Sequence, residues 1–163
     1  MQSTINAAAS PADALEVTLD RYYEALVRRL MLIVRDPEEA ADLAQSACAR
    51  ALEQRGRFDG RDPRGWLYTI GINLALNELR RRRRWLARPV VESDATWAIE
   101  IDPDLWSALG ELEPRVRAAL LMNVLDGYSQ AEIATSLRVP EGTVASWLVR
   151  AKGRLRDRLG EGE

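Results

Sequence analysis

The sequence predicts an all-α protein: two small helical domains joined by an acidic linker. Three observations predict it. Apolar residues recur at helical spacing, and no segment of any length alternates with the period of a strand. Charge is segregated. Residues 1–88 hold 15 arginines against 12 Asp and Glu, residues 89–113 hold seven acidic residues and no basic one, and residues 114–163 hold eight basic against six acidic. Finally, the last third of the chain has the form of a helix-turn-helix.

Composition narrows the function classes. With 47% hydrophobic residues a folded core is within reach. There is no histidine, and Cys48 is the single cysteine, so the sequence offers neither an internal disulfide nor a cysteine cluster, and it lacks the commonest general base and metal ligand. No metal, cofactor or small-molecule substrate is expected. No apolar run is long and uncharged enough to span a bilayer. The opening MQSTINAAASPADALE lacks the basic start and apolar block of a secretory signal. The expectation is a cytoplasmic protein with no direct membrane insertion, whose residues 1–11 form a disordered lead.

Each element has its own signal. ALEVTLDRYYEALVRRLMLIV (14–34) puts Leu15, Leu19, Tyr22, Leu26, Leu30 and Ile33 on one stripe. Asp36 is a good N-cap, and Pro37 suits the first position of the next helix. That helix runs to about residue 54, with its acidic residues early. RGRFDGRD (55–62) reads as a turn. Asp62-Pro63 then opens a long helix to about Arg84. PVVESDATWAIEIDPD (89–104) has no sustained period and reads as the linker, with Trp97 and Ile99 giving partial order. Helix resumes at LWSALGEL, then at 112–127 up to Gly127. Two helices with a tight break follow, at 129–137 and 141–159.

In GYSQAEIATSLRVPEGTVASWLVRAKGRL, Ile133, Ala134 and Leu137 give the first helix an inward face. Val139 plugs the turn. In the second helix Val144, Leu148, Ala151, Leu155 and Leu159 follow i, i+4, i+7, i+11, i+15 and are expected to face inward. The complementary stripe is Thr143, Ser146, Trp147, Arg150 and Arg154. A recognition helix reads bases from its outer stripe near the N-terminus and holds phosphates with cations further along. Ser129 and Arg138, at the two ends of the first helix, join this candidate DNA surface.

NELRRRRRW (77–85) places five arginines, Arg80 to Arg84, in a chain of net charge −2. On the helix of DPRGWLYTIGINLALNELRRRRRW, Trp66, Ile70, Asn73, Asn77, Arg80 and Arg84 share a stripe, while Leu67 and Leu74 can pack inward. An aromatic, two amides and several arginines suit opened DNA: rings stack on bases, amides read edges and guanidinium groups hold phosphates. Basic residues at a helix C-terminus are favoured by its dipole, which accounts for one or two arginines. Five in succession wrap around the helix and repel one another, so a polyanion partner is expected. The helix 36–54 is polar on one side, with Glu38, Glu39, Asp42, Gln45 and Arg50 as exposed candidates. Periodicity alone leaves open whether this is a docking face or a solvated one.

DPEEAADLAQ, GRFDGRDPRGWLYTIGINLALNELRRRRR and LEPRVRAALLMNVLDGYSQAEIATSLRVPEGTVASWLVRAKGRL, in that order, resemble bacterial RNA polymerase sigma factors of the extracytoplasmic-function (ECF) group of the sigma-70 family. The likeness covers residues 12–84 and 105–158. It implies a sigma-2-like domain over 12–88, an acidic linker over 89–104 and a sigma-4-like domain over 105–160. It implies a promoter-specificity subunit rather than an enzyme. Such a subunit binds core RNA polymerase, recognises the −10 and −35 promoter elements and assists strand opening. By this resemblance Asp42, Gln45 and Arg50 meet the clamp helices of the largest polymerase subunit. Trp66, Asn73, Asn77, Arg80, Arg81 and Arg84 serve the −10 region. The helix 141–158 reads the −35 element, the C-terminal domain meets the polymerase flap, and an anti-sigma factor is an expected partner. The linker would mimic nucleic acid in a basic channel. Two departures stand out. Ser46, Ala47 and Cys48 replace an acidic and an aromatic position, and GTVASW stands where GTVKSR is usual, so that Ala145 and Trp147 replace two basic residues. The alternatives are a stand-alone helix-turn-helix regulator of duplex DNA, a degenerate sigma with weak −35 recognition and, distantly, a carboxylate metal enzyme using Glu38, Glu39 and Asp42.

Overall fold

A computed structural model describes residues 10–85 and 100–160. The order is α1 (Pro11–Val34), α2 (Pro37–Glu53), a 3-10 turn (Arg55–Arg57), α3 (Pro63–Trp85), α4 (Pro103–Gly110), α5 (Pro114–Val124), α6 (Gln130–Leu137) and α7 (Glu141–Gly160). Among the described residues there is no strand. Residues 1–9 of the expected lead and most of the linker, with Trp97 and Ile99, lie outside the described residues, and Pro11, expected in the lead, already opens α1.

The first three helices form one bundle. Leu15, Leu19, Leu26, Leu30 and Ile33 are buried on α1, as the stripe requires, and Tyr22 packs at its edge. The chain breaks where Arg35 adopts φ 63°, and the Asp36 carboxylate accepts the Glu39 N–H at 3.1 Å to cap α2. α2 contributes an alanine ridge, Ala40, Ala44, Ala47 and Ala51, all fully buried. Small side chains let three helices approach closely. Gly71 of α3 belongs to the same contact: a Cβ there would lie 2.9 Å from Leu26 Cδ1. Leu67, Tyr68, Ile72, Ala75 and Leu76 complete the α3 contribution. Each fully buried leucine contributes about 2 kcal/mol.

The second bundle holds the helix-turn-helix. α4 starts at Pro103 because a third Asp-Pro, Asp102-Pro103, supplies a cap that accepts from the Asp104 and Leu105 N–H groups. This is earlier than the sequence suggested. α5 is also shorter than its apolar run: it ends at Val124, and Gly127 at φ 73° turns the chain into α6. Ser129 and Glu132 form a capping box at the start of α6. Arg138, left-handed at φ 56°, ends α6 and lets the chain turn into α7. Ile133, Ala134, Leu137, Val144, Leu148 and Ala151 are buried together. Leu155 is half-buried, but Leu159 is 43% exposed, because α7 by then has outrun the helices beneath it.

The sequence suggests two bundles on a flexible joint. In the structure they pack against each other, and one contiguous core cluster runs through both. Arg117, 4% exposed, lies where they join. It donates to the carbonyls of Ile33 at 2.6 Å and Leu109 at 3.1 Å, the last turns of α1 and α4. Burial, with Arg35 nearby, lowers its pKa to about 10, so it is still a cation at neutral pH. Two helix C-termini, rather than a carboxylate, balance that charge. Arg35 reinforces the junction, donating to the Trp106 carbonyl at 2.7 Å with its guanidinium 4.0 Å above the Trp106 ring.

Candidate nucleic-acid interface

α3 carries its candidate side chains in a gradient. Trp66 is half-buried near the N-terminal end, with its ring 5.1 Å from that of Phe58. Ile70 and Asn73 are also half-buried, while Asn77, Arg80 and Arg84 are exposed. The Asn73 amide is engaged, donating to Thr69 O at 2.9 Å and to Ser136 O of α6 at 2.9 Å. The stripe is real, but the second bundle covers its middle.

The arginine run is partly neutralised within the fold. Arg81 grips Glu78 with two hydrogen bonds, at 3.0 and 2.6 Å. That contact holds the Glu78 carboxyl below its usual range. Arg82 meets Glu39 of α2 at 2.7 Å and Glu78 at 3.6 Å. Among the described residues, Arg80, Arg83 and Arg84 form no ion pair. Intramolecular pairing therefore explains two of the five arginines, and the polyanion argument keeps three. Trp85, 79% exposed, follows them.

On α2, Asp42, Gln45 and Arg50 are exposed, as is Glu38. Glu39, expected on the same face, is not. It turns toward α3 to meet Arg82, and its Oε2 is buried with no hydrogen-bond partner. Desolvation, only partly offset by Arg82, raises its pKa to about 6. Among the described residues no His, Cys, Asp and Glu side chains converge as a metal site, and no helix is long and apolar enough to cross a membrane.

On α7, Ser146, Arg150 and Arg154 are exposed and Thr143 is half-exposed. Ser129 and Arg138 are exposed as well, each also serving as a helix cap. Trp147 departs from the outward reading. It is half-buried against the core, under the Arg115 guanidinium at 5.7 Å. Arg115 also donates to Leu137 O at 3.1 Å, tying α5 to the end of α6. An indole is too large and apolar to stay in water when a neighbouring helix offers a surface.

A second interface, between the bundles, joins residues that sequence reasoning did not single out. Asp126, just after α5, has a fully shielded side chain held by Arg29 of α1 and Arg64 of α3. Beside it, burial and the Asp62 and Asp126 carboxylates push the Tyr128 hydroxyl up to about 12. Asp126 was legible only as an acid between an apolar run and a turn glycine; its partners are 62 and 97 residues away.

Comparison with known proteins fits this geometry. Residues 18–85 match the family model Sigma-70 region 2, and residues 103–155 match Sigma-70, region 4. The chain is 33% identical to the ECF RNA polymerase sigma factor SigM of Mycobacterium tuberculosis, over 90% of this chain and 78% of that protein. The chain belongs to the ECF group of sigma-70 factors. It is also 30% identical to the RNA polymerase sigma-H factor of Pseudomonas aeruginosa, over 85% of this chain and 82% of that one. The fold of this ECF sigma factor is similar to that of RpoE in its complex with the anti-sigma factor NepR from Bartonella quintana. There the TM-score is 0.74 and the identity 22%, over 92% of this chain and 99% of that one. CnrH, in complex with the cytosolic domain of CnrY, follows at a TM-score of 0.66 and 21% identity, over 94% of each chain. The protein is a promoter-recognition sigma subunit, and its two matched regions coincide with the two bundles.

Proposed function

We infer that the two bundles divide promoter recognition between them. Residues 12–88 bind core polymerase and the −10 element, residues 105–160 bind the −35 element, and 89–104 connect them. The observation that carries this reading is the outer face of α7. Ser146, Arg150 and Arg154 stand exposed on the side opposite the buried Val144, Leu148 and Ala151. Thr143 and Ser146 are placed to meet base edges, and Arg150, Arg154 and Arg138 to hold phosphates, with Ser129 at the margin. Trp147 contributes an apolar edge. On α3, Trp66 stacks, Asn73 and Asn77 read base edges, and Arg80 and Arg84 grip the backbone, joined by Arg81 when Glu78 releases it. Asp42, Gln45 and Arg50 dock on the clamp helices of the largest polymerase subunit, and the second bundle docks on the flap. The polymerase supplies the catalysis; this subunit is not an enzyme and works in the cytoplasm without metal or cofactor. An anti-sigma factor is a further partner, as it is for the fold relatives solved in such complexes.

A second reading has one observation in its favour. With Trp147 drawn toward α5 and Ala145 beside it, α7 presents fewer cations than GTVKSR would, which favours weak −35 recognition. One experiment separates the two readings: transcription by purified core polymerase, with and without this protein, on a library of promoter-length DNA. The expected outcome is protein-dependent initiation from templates sharing two sequence blocks. A single shared block near the start site would support the second reading. No binding to core would defeat both and point to a stand-alone DNA-binding regulator.

A further inference from the structure

The seam between the bundles is polar where it crosses α3, and a carboxylate lies at its centre. Arg29 grips Asp126 with two donors along one edge of its guanidinium, Nε to Oδ2 at 3.0 Å and one terminal nitrogen to Oδ1 at 2.7 Å, and Arg64 donates to Oδ1 at 3.1 Å. Two converging guanidinium groups around an anionic oxygen pair are the donor set with which proteins hold phosphates. Further along α3, the Asn73 amide is occupied by Ser136 O, and the Thr69 hydroxyl lies 3.2 Å from that of Ser136.

This part of the seam differs in kind from the rest. Helix cores here close with leucine and alanine, and the far side of the junction closes through the buried Arg117. The α3 seam closes through an ion pair and hydrogen bonds, which water or a polyanion can replace, as in polar interfaces that open and close. Arg64 is 38% exposed, so the site already has a solvent-facing side.

We propose that Arg29 and Arg64 form a phosphate-binding pair, filled by Asp126 in the closed chain and by the promoter backbone in the open one. Asp126 is then an internal substitute for a DNA phosphate. The two occupants exclude each other because they need the same guanidinium edges. Closing hides Asn73 at the same time, so the chain cannot present α3 until the bundles part. This rests on the promoter-reading role of α3 given above.

The test uses the full chain with Cys48→Ala, which removes the native thiol, and Thr69→Cys with Ser136→Cys. Two hydroxyls 3.2 Å apart mark positions close enough for a disulfide. Oxidation should lock the seam and cut transcription with purified core polymerase roughly tenfold or more, and reductant should restore it. Equal activity in both states would overturn the masking. Reduced protein that binds core and never initiates would overturn the promoter reading, and the proposal with it. The phosphate assignment is read separately, from the affinity of polymerase carrying each variant for promoter DNA across a salt series. Asp126→Asn should tighten binding several-fold. Arg64→Gln loosens the latch, although Arg29 still holds Asp126, but should bring no gain, and should flatten the slope of log K against log salt by about 0.7–0.9. Should Arg64→Gln tighten binding as much as Asp126→Asn, Asp126 is only an adhesive and the phosphate site is wrong. The locked protein is its own reduced control, so it decides the masking even if a point variant folds poorly.

Discussion

The two helices with candidate DNA surfaces, α3 and α7, treat their charge in opposite ways. α3 carries five consecutive arginines, but Glu78 and Glu39 engage Arg81 and Arg82, and the middle of its face is bonded to the other bundle. α7 has fewer cations, yet Arg150 and Arg154 stand exposed on a face that no other helix covers. Charge counted along a sequence is therefore a poor guide to charge available to a ligand. What matters is which arginines have a carboxylate within reach in the folded chain, and for α3 one of those carboxylates comes from α2.

The comparison can be broken first at the junction that keeps α3 covered. Arg117→Met leaves the carbonyls of Ile33 and Leu109 without their donor in a buried site, which should cost roughly 3 kcal/mol or more. Urea unfolding should show the loss, with the second bundle separating from the first. Next comes the contrast in available charge. Arg150→Ala should weaken binding of −35 duplex by about 1–3 kcal/mol and reduce the salt slope by about 1, in a fluorescence anisotropy titration. Arg81→Ala should change affinity by less than about twofold, because its partner Glu78 already screens it. Glu78→Gln sharpens the same point in the other direction. With Arg81 released and Arg82 still held by Glu39, promoter binding should strengthen modestly and its salt dependence should steepen by about 1.

The smallest expected effect is the pH response of Glu39. Its pKa is raised to about 6, so the folded protein favours the protonated acid. The stabilisation this gives is fully present below about 4.5, the ordinary carboxyl value, and is lost as pH rises through about 6. Glu39→Gln should therefore lack that component. The difference in Tm between variant and parent should shift in favour of the variant between pH 4.5 and 7.

The helices themselves were legible because periodicity is a local property. The α1 stripe from Leu15 to Ile33, the Asp36-Pro37 and Asp62-Pro63 starts, and the helix-turn-helix core from Ile133 to Ala151 all follow from neighbours within a few residues. Where the reading failed, a distant element had intervened. Glu39 left the polar face of α2 because α3 offered it Arg82. Trp147 left the outer stripe of α7 because α5 offered Arg115 and an apolar surface. Leu159 kept its place in the period but ran past the end of the core that would have covered it.

By itself, the sequence determined an all-helical chain in two bundles, which residues line each core, and which faces carry arginines, amides and aromatics. Those are consequences of spacing and side-chain chemistry along a single helix. Only the tertiary structure decided how the bundles meet: Asp126 between Arg29 and Arg64, Asn73 on Ser136, and Arg117 across the ends of α1 and α4. The physical reason is that an ion pair or a hydrogen bond depends on a few ångströms of separation, and partners sixty to a hundred residues apart leave no periodic trace in the chain.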